Sequence, residues 1–211
     1  MKINNLHKET APFGNTPKMP VLFLGHGSPM NAIEENEFVE GFRNIAKSIP
    51  KPTAILCVSA HWETPGTFVT AMDLPKTIHD FGGFPQALFD VQYPAPGSPA
   101  LANEIKSLIT TTSVELDYNW GLDHGAWSVI KHMYPKAEVP VVQMSLDYSQ
   151  KPQYHYNLMK ELALLRKKGV LIIGSGNMVH NLRLVAWDKF NSDNYAFDWA
   201  LEASEKMKKY I

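Results

Sequence analysis

The chemistry in this chain lies in its histidines. There are eight in 211 residues, and three of them follow short apolar runs of the kind that form buried strands. His26 sits two residues past Val21-Leu22-Phe23-Leu24, between Gly25 and Gly27. His61 follows Ala54 to Ala60 directly, in Ser59-Ala60-His61-Trp62. His180 comes seven residues after Ile173, in Gly174-Ser-Gly-Asn-Met-Val-His180. Ligands of open α/β sheets bind beyond the carboxyl ends of the strands. If the strands are parallel, the three imidazoles reach one edge of the sheet, where neutral imidazole suits zinc, iron, copper or nickel. The competing reading, a histidine that only hydrogen-bonds at a strand end, holds for each one singly. Three together raise a metal site to even standing.

Two further histidines sit in loops. His124, in Asp123-His124-Gly125-Ala126-Trp127, opens a helix, and is either an acid–base group or a bystander to helix capping by Asp123. His79, in His79-Asp80-Phe81-Gly82-Gly83-Phe84-Pro85, either lines a pocket or stabilises a turn, the turn being the slightly favoured reading. His7, His132 and His155 fall in arm or helix positions and are expected to be solvated.

The elements that must carry these residues follow from periodicity and breakers. Strands are expected over Val21–Leu24, Ala54–Ala60, Thr67–Met72, Ser113–Leu116, Pro140–Leu146 and Val170–Ile173. The first of these is a continuous apolar run that suits a strand buried on both faces. Helices are expected over 36–48, 98–109, 126–133, 152–168 and 194–211. In the fourth, Leu158, Leu162 and Leu165 recur at helical spacing and Gly169 stops the run. Ile78 to Pro99, rich in Gly, Pro and aromatics, reads as a long structured loop of the functional kind. Alternating strands and helices give a single α/β domain, with a mainly parallel sheet and helices on both faces. Residues 1–19 read as an N-terminal arm and 20–211 as the catalytic domain.

Composition bounds the rest. With 45% hydrophobic and 19% charged residues the chain is globular. Twenty basic and 21 acidic side chains leave a formal charge of −1 with no basic stripe, which argues against nucleic acid and anionic membrane as partners. Cys57 is the single cysteine; it fits a reducing compartment, and its place inside a strand suits a buried hydrophobe better than a nucleophile. With no secretory or membrane-spanning run either, a cytoplasmic protein is expected. The glycine pairs at 25/27 and 174/176 lack the third glycine of a dinucleotide loop, having Met30 and Val179 there, and no G-x-S-x-G, Walker or H-E-x-x-H motif is present.

Six motifs then occur in order: Leu24-Gly-His26-Gly-Ser-Pro-Met-Asn31, Ser59-Ala-His61-Trp62, Thr77-Ile-His79-Asp-Phe-Gly-Gly-Phe-Pro85, Tyr93-Pro-Ala-Pro-Gly-Ser-Pro99, Asp123-His124-Gly125 and Gly176-Asn-Met-Val-His180-Asn-Leu182. Between about Pro20 and Trp187 the chain closely resembles the 4,5-DOPA extradiol dioxygenase-like family, within the class III extradiol ring-cleavage dioxygenases. The resemblance implies a non-haem Fe(II) enzyme that opens a small, DOPA-like catechol beside its two hydroxyls with O2, and it allows Zn(II) in the same site. Carried over by residue, it implies that His26 and His61 are metal ligands. It makes His180 a further ligand or the catalytic base, and sets His124 beside substrate and oxygen as a catalytic group. Family members run on for several tens of residues past Ile211 and draw another ligand from there. A C-terminally shortened chain with an incomplete metal shell is therefore expected, unless Asp80 or Asp123 supplies the missing ligand from within. Two other readings stay open: a zinc hydrolase using the same histidines to activate water, and a non-catalytic relic that binds metal or aromatics.

Overall fold

The structure, a computed structural model, describes residues 17–189 and 195–210. His7 and the rest of the expected arm up to residue 16, and the expected start of the last helix at 194, lie outside the described residues. The chain divides into two compact units, Met1–Met178 and Val179–Ile211.

The first unit holds six strands: β1 (Val21–Leu24), β2 (Ala54–Thr64), β3 (Thr67–Thr70), β4 (Val114–Asp117), β5 (Val141–Asp147) and β6 (Val170–Ser175). They form one sheet in the order β1-β6-β2-β5-β3-β4. The first four of that order, β1, β6, β2 and β5, are mutually parallel, whereas β3 pairs antiparallel with β5 and parallel with β4. The sheet is thus mainly parallel, as expected, with its last two strands reversed. The reversal has a local cause. Only Pro65 and Gly66 separate β2 from β3, and a parallel return needs a crossover of a dozen or more residues.

Side chains alternate across the sheet, and two hydrophobic clusters result. Ile55, Cys57, Leu171 and Ile173 pack on one face with Phe42 of helix α1 (Glu37–Ser48) and with Trp127 and Ile130 of α4 (His124–Met133). Ala54, Leu56, Val170 and Ile172 pack on the other face. Their partners there are Leu101 and Ile105 of α3 (Pro99–Leu108), Leu158 of α5 (Pro152–Glu161), and Leu162 and Leu165. A fifth helix, α2 (Gln86–Phe89), is a single turn within the long loop.

The caps follow the sequence. Asn36 accepts from the Phe38 and Val39 amides, and Ser98 accepts from Leu101 N with Pro99 in the first turn. Two expectations are corrected here. The helix from Pro152 is α-helical only to Glu161 and continues as a 3-10 helix over Leu162–Lys168, ended by Gly169 at φ 80°. Strand β1 is not buried on both faces: it is an edge strand, with Val21 53% and Phe23 62% exposed. The second unit contains 3-10 turns at Leu182–Leu184 and Trp187–Lys189 and helix α6 (Asp198–Lys208). Among the described residues no helix is long and apolar enough to cross a membrane.

Trp127 joins fold to site, because its ring fills the core while its Nε1–H donates to Ile78 O (2.8 Å) at the start of the long loop. Trp127→Ala should cost about 3–5 kcal/mol of stability, read as a lowered midpoint in urea unfolding with an unchanged slope.

Candidate metal and catalytic centre

His26 is carried by the turn after β1, where Gly27 takes φ 66°. A side chain there would be strained, and its Cβ would fall 2.8 Å from Asn31 Nδ2. That amide instead donates to His26 O at 2.9 Å, and Asn36 Nδ2 in turn donates to Asn31 Oδ1. The other end of α4 secures the same turn: His132 Nε2–H donates to Asn31 O (2.8 Å) and Lys131 Nζ to Ala32 O (2.8 Å). His132, expected to be solvated, is therefore buried and structural, and burial pushes its pKa below the ordinary histidine value. His26 itself is 2% exposed, and its Nδ1 lies 3.0 Å from Ser175 Oγ at the end of β6. The Ser175 hydroxyl donates to Gly125 O.

His61 stands inside β2, within the irregularity between Val58 and Glu63, because the strand expected to end at Ala60 continues to Thr64. Its Nε2 lies 3.1 Å from His26 Nε2. His124 opens α4 immediately after Asp123, whose carboxylate caps the helix by accepting from Ala126 N (3.1 Å). The aspartate caps the helix, as one reading of the Asp-His-Gly motif had it, and the same helix start places the His124 ring beside His26 and His61. Gly125 has to be small, since a Cβ on it would overlap the Ser59 hydroxyl and lie 2.9 Å from His61 Cδ2. The result is a trio, His26, His61 and His124, in which one ligand atom from each lies within 4.8 Å of the others. Their ring centroids are 4.9 Å (26–61), 5.4 Å (26–124) and 4.0 Å (61–124) apart.

Asp80, from the long loop, braces two of the three. Its Oδ1 accepts from the His124 amide (2.8 Å), and its Oδ2 lies 3.0 Å from His124 Nδ1 and 3.5 Å from His61 Nδ1. The carboxylate thus faces the Nδ1 side of the His124 ring while it holds the His124 amide. Burial pushes the Asp80 carboxyl up, and its contacts with the His124 side chain and amide outweigh this, leaving it below the ordinary aspartate value. Asp123 behaves oppositely. Burial pushes it above the ordinary value against hydrogen bonds from Ser59 and Gln143, and with one oxygen on the cap and the other on Gln143 Nε2 it is spoken for.

The trio fits a transition-metal ion. With metal–nitrogen bonds of about 2.0–2.1 Å, two imidazole nitrogens on one ion stand roughly 2.8–3.4 Å apart for angles between square and tetrahedral. The 3.1 Å between His26 and His61 is in that range. An aromatic wall adjoins it: Phe81 meets the His124 ring edge-on at 5.5 Å, and packs with Phe84 and Phe89. His79 belongs to this wall, donating from Nε2 to Val91 O (2.9 Å) and contacting Phe81 and Trp127, which is the turn-stabilising reading. His155 is half-buried, with Nε2 3.2 Å from Asp147 O. Cys57 is buried with its thiol pushed well up by burial, so it is no nucleophile. His180 lies in the second unit, where it is exposed. Within the first unit, the cluster the structure assembles consists of His26, His61 and His124. Ser175, Asn31 and Gln143 went unread in the sequence; the apolar run into Gly174-Ser175 was the one available signal, since it ends a strand at the ligand edge.

An α/β sheet with three imidazoles gathered at one centre, a half-buried carboxylate behind them and phenylalanines beside them forms a candidate metal site next to an apolar surface. Comparison with known proteins gives the family. Residues 18–209 match the family described as the catalytic LigB subunit of aromatic ring-opening dioxygenase, and the chain belongs to it. It is similar to a 4,5-DOPA dioxygenase extradiol of Escherichia coli, 49% identical over 195 residues, covering 92% of this chain and 71% of that one. A protein of the same description from Beta vulgaris is 46% identical over 165 residues, covering 75% and 61%. A crystal structure of an uncharacterized Escherichia coli K12 protein superposes with a TM-score of 0.75 at 43% identity, over 90% of this chain and 72% of that one.

Gly125→Ala should abolish stoichiometric zinc binding in isothermal titration, because the added methyl pushes on Ser59 and His61 together. Retention of one tight zinc would mean that the helix start can shift without moving the trio.

Proposed function

We propose that the protein is an extradiol dioxygenase that opens a small catechol with O2, at a metal held by His26 and His61 with His124 as the acid–base group. The observation that carries this reading is the trio itself, two ring nitrogens 3.1 Å apart and a third imidazole within reach, backed by Asp80. The family and the names of the relatives support the reaction class. Fe(II) at such a centre supplies the electron path between a catechol and O2, which zinc cannot, having no accessible redox change.

The residues of the chain do the rest. Catechol hydroxyls must lose protons as they approach a cation, and an imidazole titrates in the right range to take one. His124 has the position for this: its ring is next to both other imidazoles, and the Asp80 carboxylate on its Nδ1 side stabilises the cation formed when it accepts a proton. The same imidazolium can return the proton to oxygen later in the cycle. Phe81, edge-on to His124, offers an apolar surface for an aromatic ring and keeps water from the reacting carbon. Extradiol cleavage breaks the ring bond beside the diol, and both atoms of O2 enter the product. For His180, family resemblance alone supports a role as ligand or base.

Anaerobic loading with Fe(II), addition of DOPA and then O2 tests the reading: equimolar O2 uptake and a coloured ring-opened product are expected, and none with Zn(II). An iron-loaded protein that takes up no O2, while the zinc form hydrolyses esters, would favour the hydrolase. His26→Ala and His61→Ala should each lose stoichiometric metal by elemental analysis. His124→Ala should keep it and lose roughly 10²–10⁴-fold in turnover. Metal loss from the His124 variant would make that residue a ligand. His180→Ala, assayed alongside, should lower either metal content or turnover; a variant equal to the parent in both would remove it from the site.

A further inference from the structure

We infer that Ser175 is a positioning residue that fixes the tautomer of His26, leaving the lone pair on Nε2 aimed at the centre. The inference deepens the metal reading above and rests on it for its purpose, but its geometry stands alone.

A serine hydroxyl has one proton to give. That of Ser175 goes to the backbone carbonyl of Gly125, which can only accept. Toward its other buried neighbour, His26 Nδ1 at 3.0 Å, the Ser175 oxygen can therefore only be an acceptor. His26 Nδ1 must carry the proton, and a neutral imidazole protonated there has its lone pair on Nε2. That is the nitrogen 3.1 Å from His61 Nε2. Both Ser175 and His26 are buried, at 3% and 2% exposure, so water is a poor substitute for either partner.

The placement of Ser175 makes the hydroxyl a three-way tie. It ends β6, it holds the first turn of α4 through Gly125, and it faces the ring delivered by the turn after β1. β6 lies between β1 and β2 in the sheet, with Leu24 in register with Ser175 on one side and Ser59 on the other. One side chain thus links the strands that present His26 and His61 to the helix that presents His124. Partners of this kind commonly govern metal affinity by about 10–100-fold.

The test uses the full chain, ¹⁵N-labelled at histidine, with zinc alone as the probe. In the metal-free protein the His26 ring is expected to show its proton on Nδ1 by long-range ¹H–¹⁵N correlation. Ser175→Ala should give mixed tautomers and weaken zinc roughly 10–100-fold, while Ser175→Thr, which keeps a hydroxyl, should restore both. Wild-type His26 with its proton on Nε2 would overturn the inference whatever the variants do, including a Ser175→Ala that fails to fold. An unchanged tautomer and zinc affinity in a folded Ser175→Ala would overturn it equally. Wild type that binds no zinc yet shows the Nδ1–H tautomer would instead tell against the metal reading and leave the serine's role in place.

Discussion

Two ring nitrogens, on His26 and His61, approach to 3.1 Å in a part-buried site. Directed lone pairs at that distance repel unless a proton or metal ion lies between them, so the surrounding structure has to hold the rings against each other. It does so from several directions. Asn31, itself gripped by Asn36 and His132, fixes the backbone of His26. The start of α4 presses on His61 through a glycine that leaves no room for a side chain. A polar cluster withdrawn from water is worth keeping only when its members are satisfied or serve a ligand, and the spacing of this one is that of a candidate cation site.

Helix α4 connects that centre to the core. Its first residue is His124, its middle residues, Trp127 and Ile130, pack on the sheet, and its last turn holds the loop of His26 through Lys131 and His132. Ten residues thus tie two of the three imidazoles to one rigid body. The long loop adds the third support, with Asp80 set between His61 and His124 and Ile78 bound by Trp127. The carboxyls of half-buried Asp80 and buried Asp123 are pushed in opposite directions by their surroundings. Asp80, facing imidazoles, is held ionised, and Asp123, enclosed with Cys57 on the sheet side, is pushed toward protonation.

Much of this was legible in the sequence. Apolar runs located all six strands within a few residues, most clearly the inner strands β2, β5 and β6, where cover on both faces demands apolar residues at successive positions. His26 and His61 were legible for the same reason, as polar residues where such runs stop. The reversal of β3 and β4 was legible too, in the two-residue link at Pro65-Gly66, but alternation of strands and helices pointed the other way. Ser175 and Asn31 were not legible. Their partners are distant in sequence, or are backbone carbonyls, and a serine or asparagine after a strand has many commoner uses. The gathering of His124 with His26 and His61 depended on where Asp123 starts a helix, which spacing alone does not give.

His26, His61 and His124 converge on one candidate cation centre. Anomalous-difference crystallography of the zinc-loaded protein at the zinc edge tests it most directly. The expected result is a single strong peak about 2.0–2.2 Å from Nε2 of both His26 and His61, with the His124 ring beside it and Asp80 behind that ring. A peak held by other residues, or rings of His26 and His61 turned away from a common point, would contradict the account.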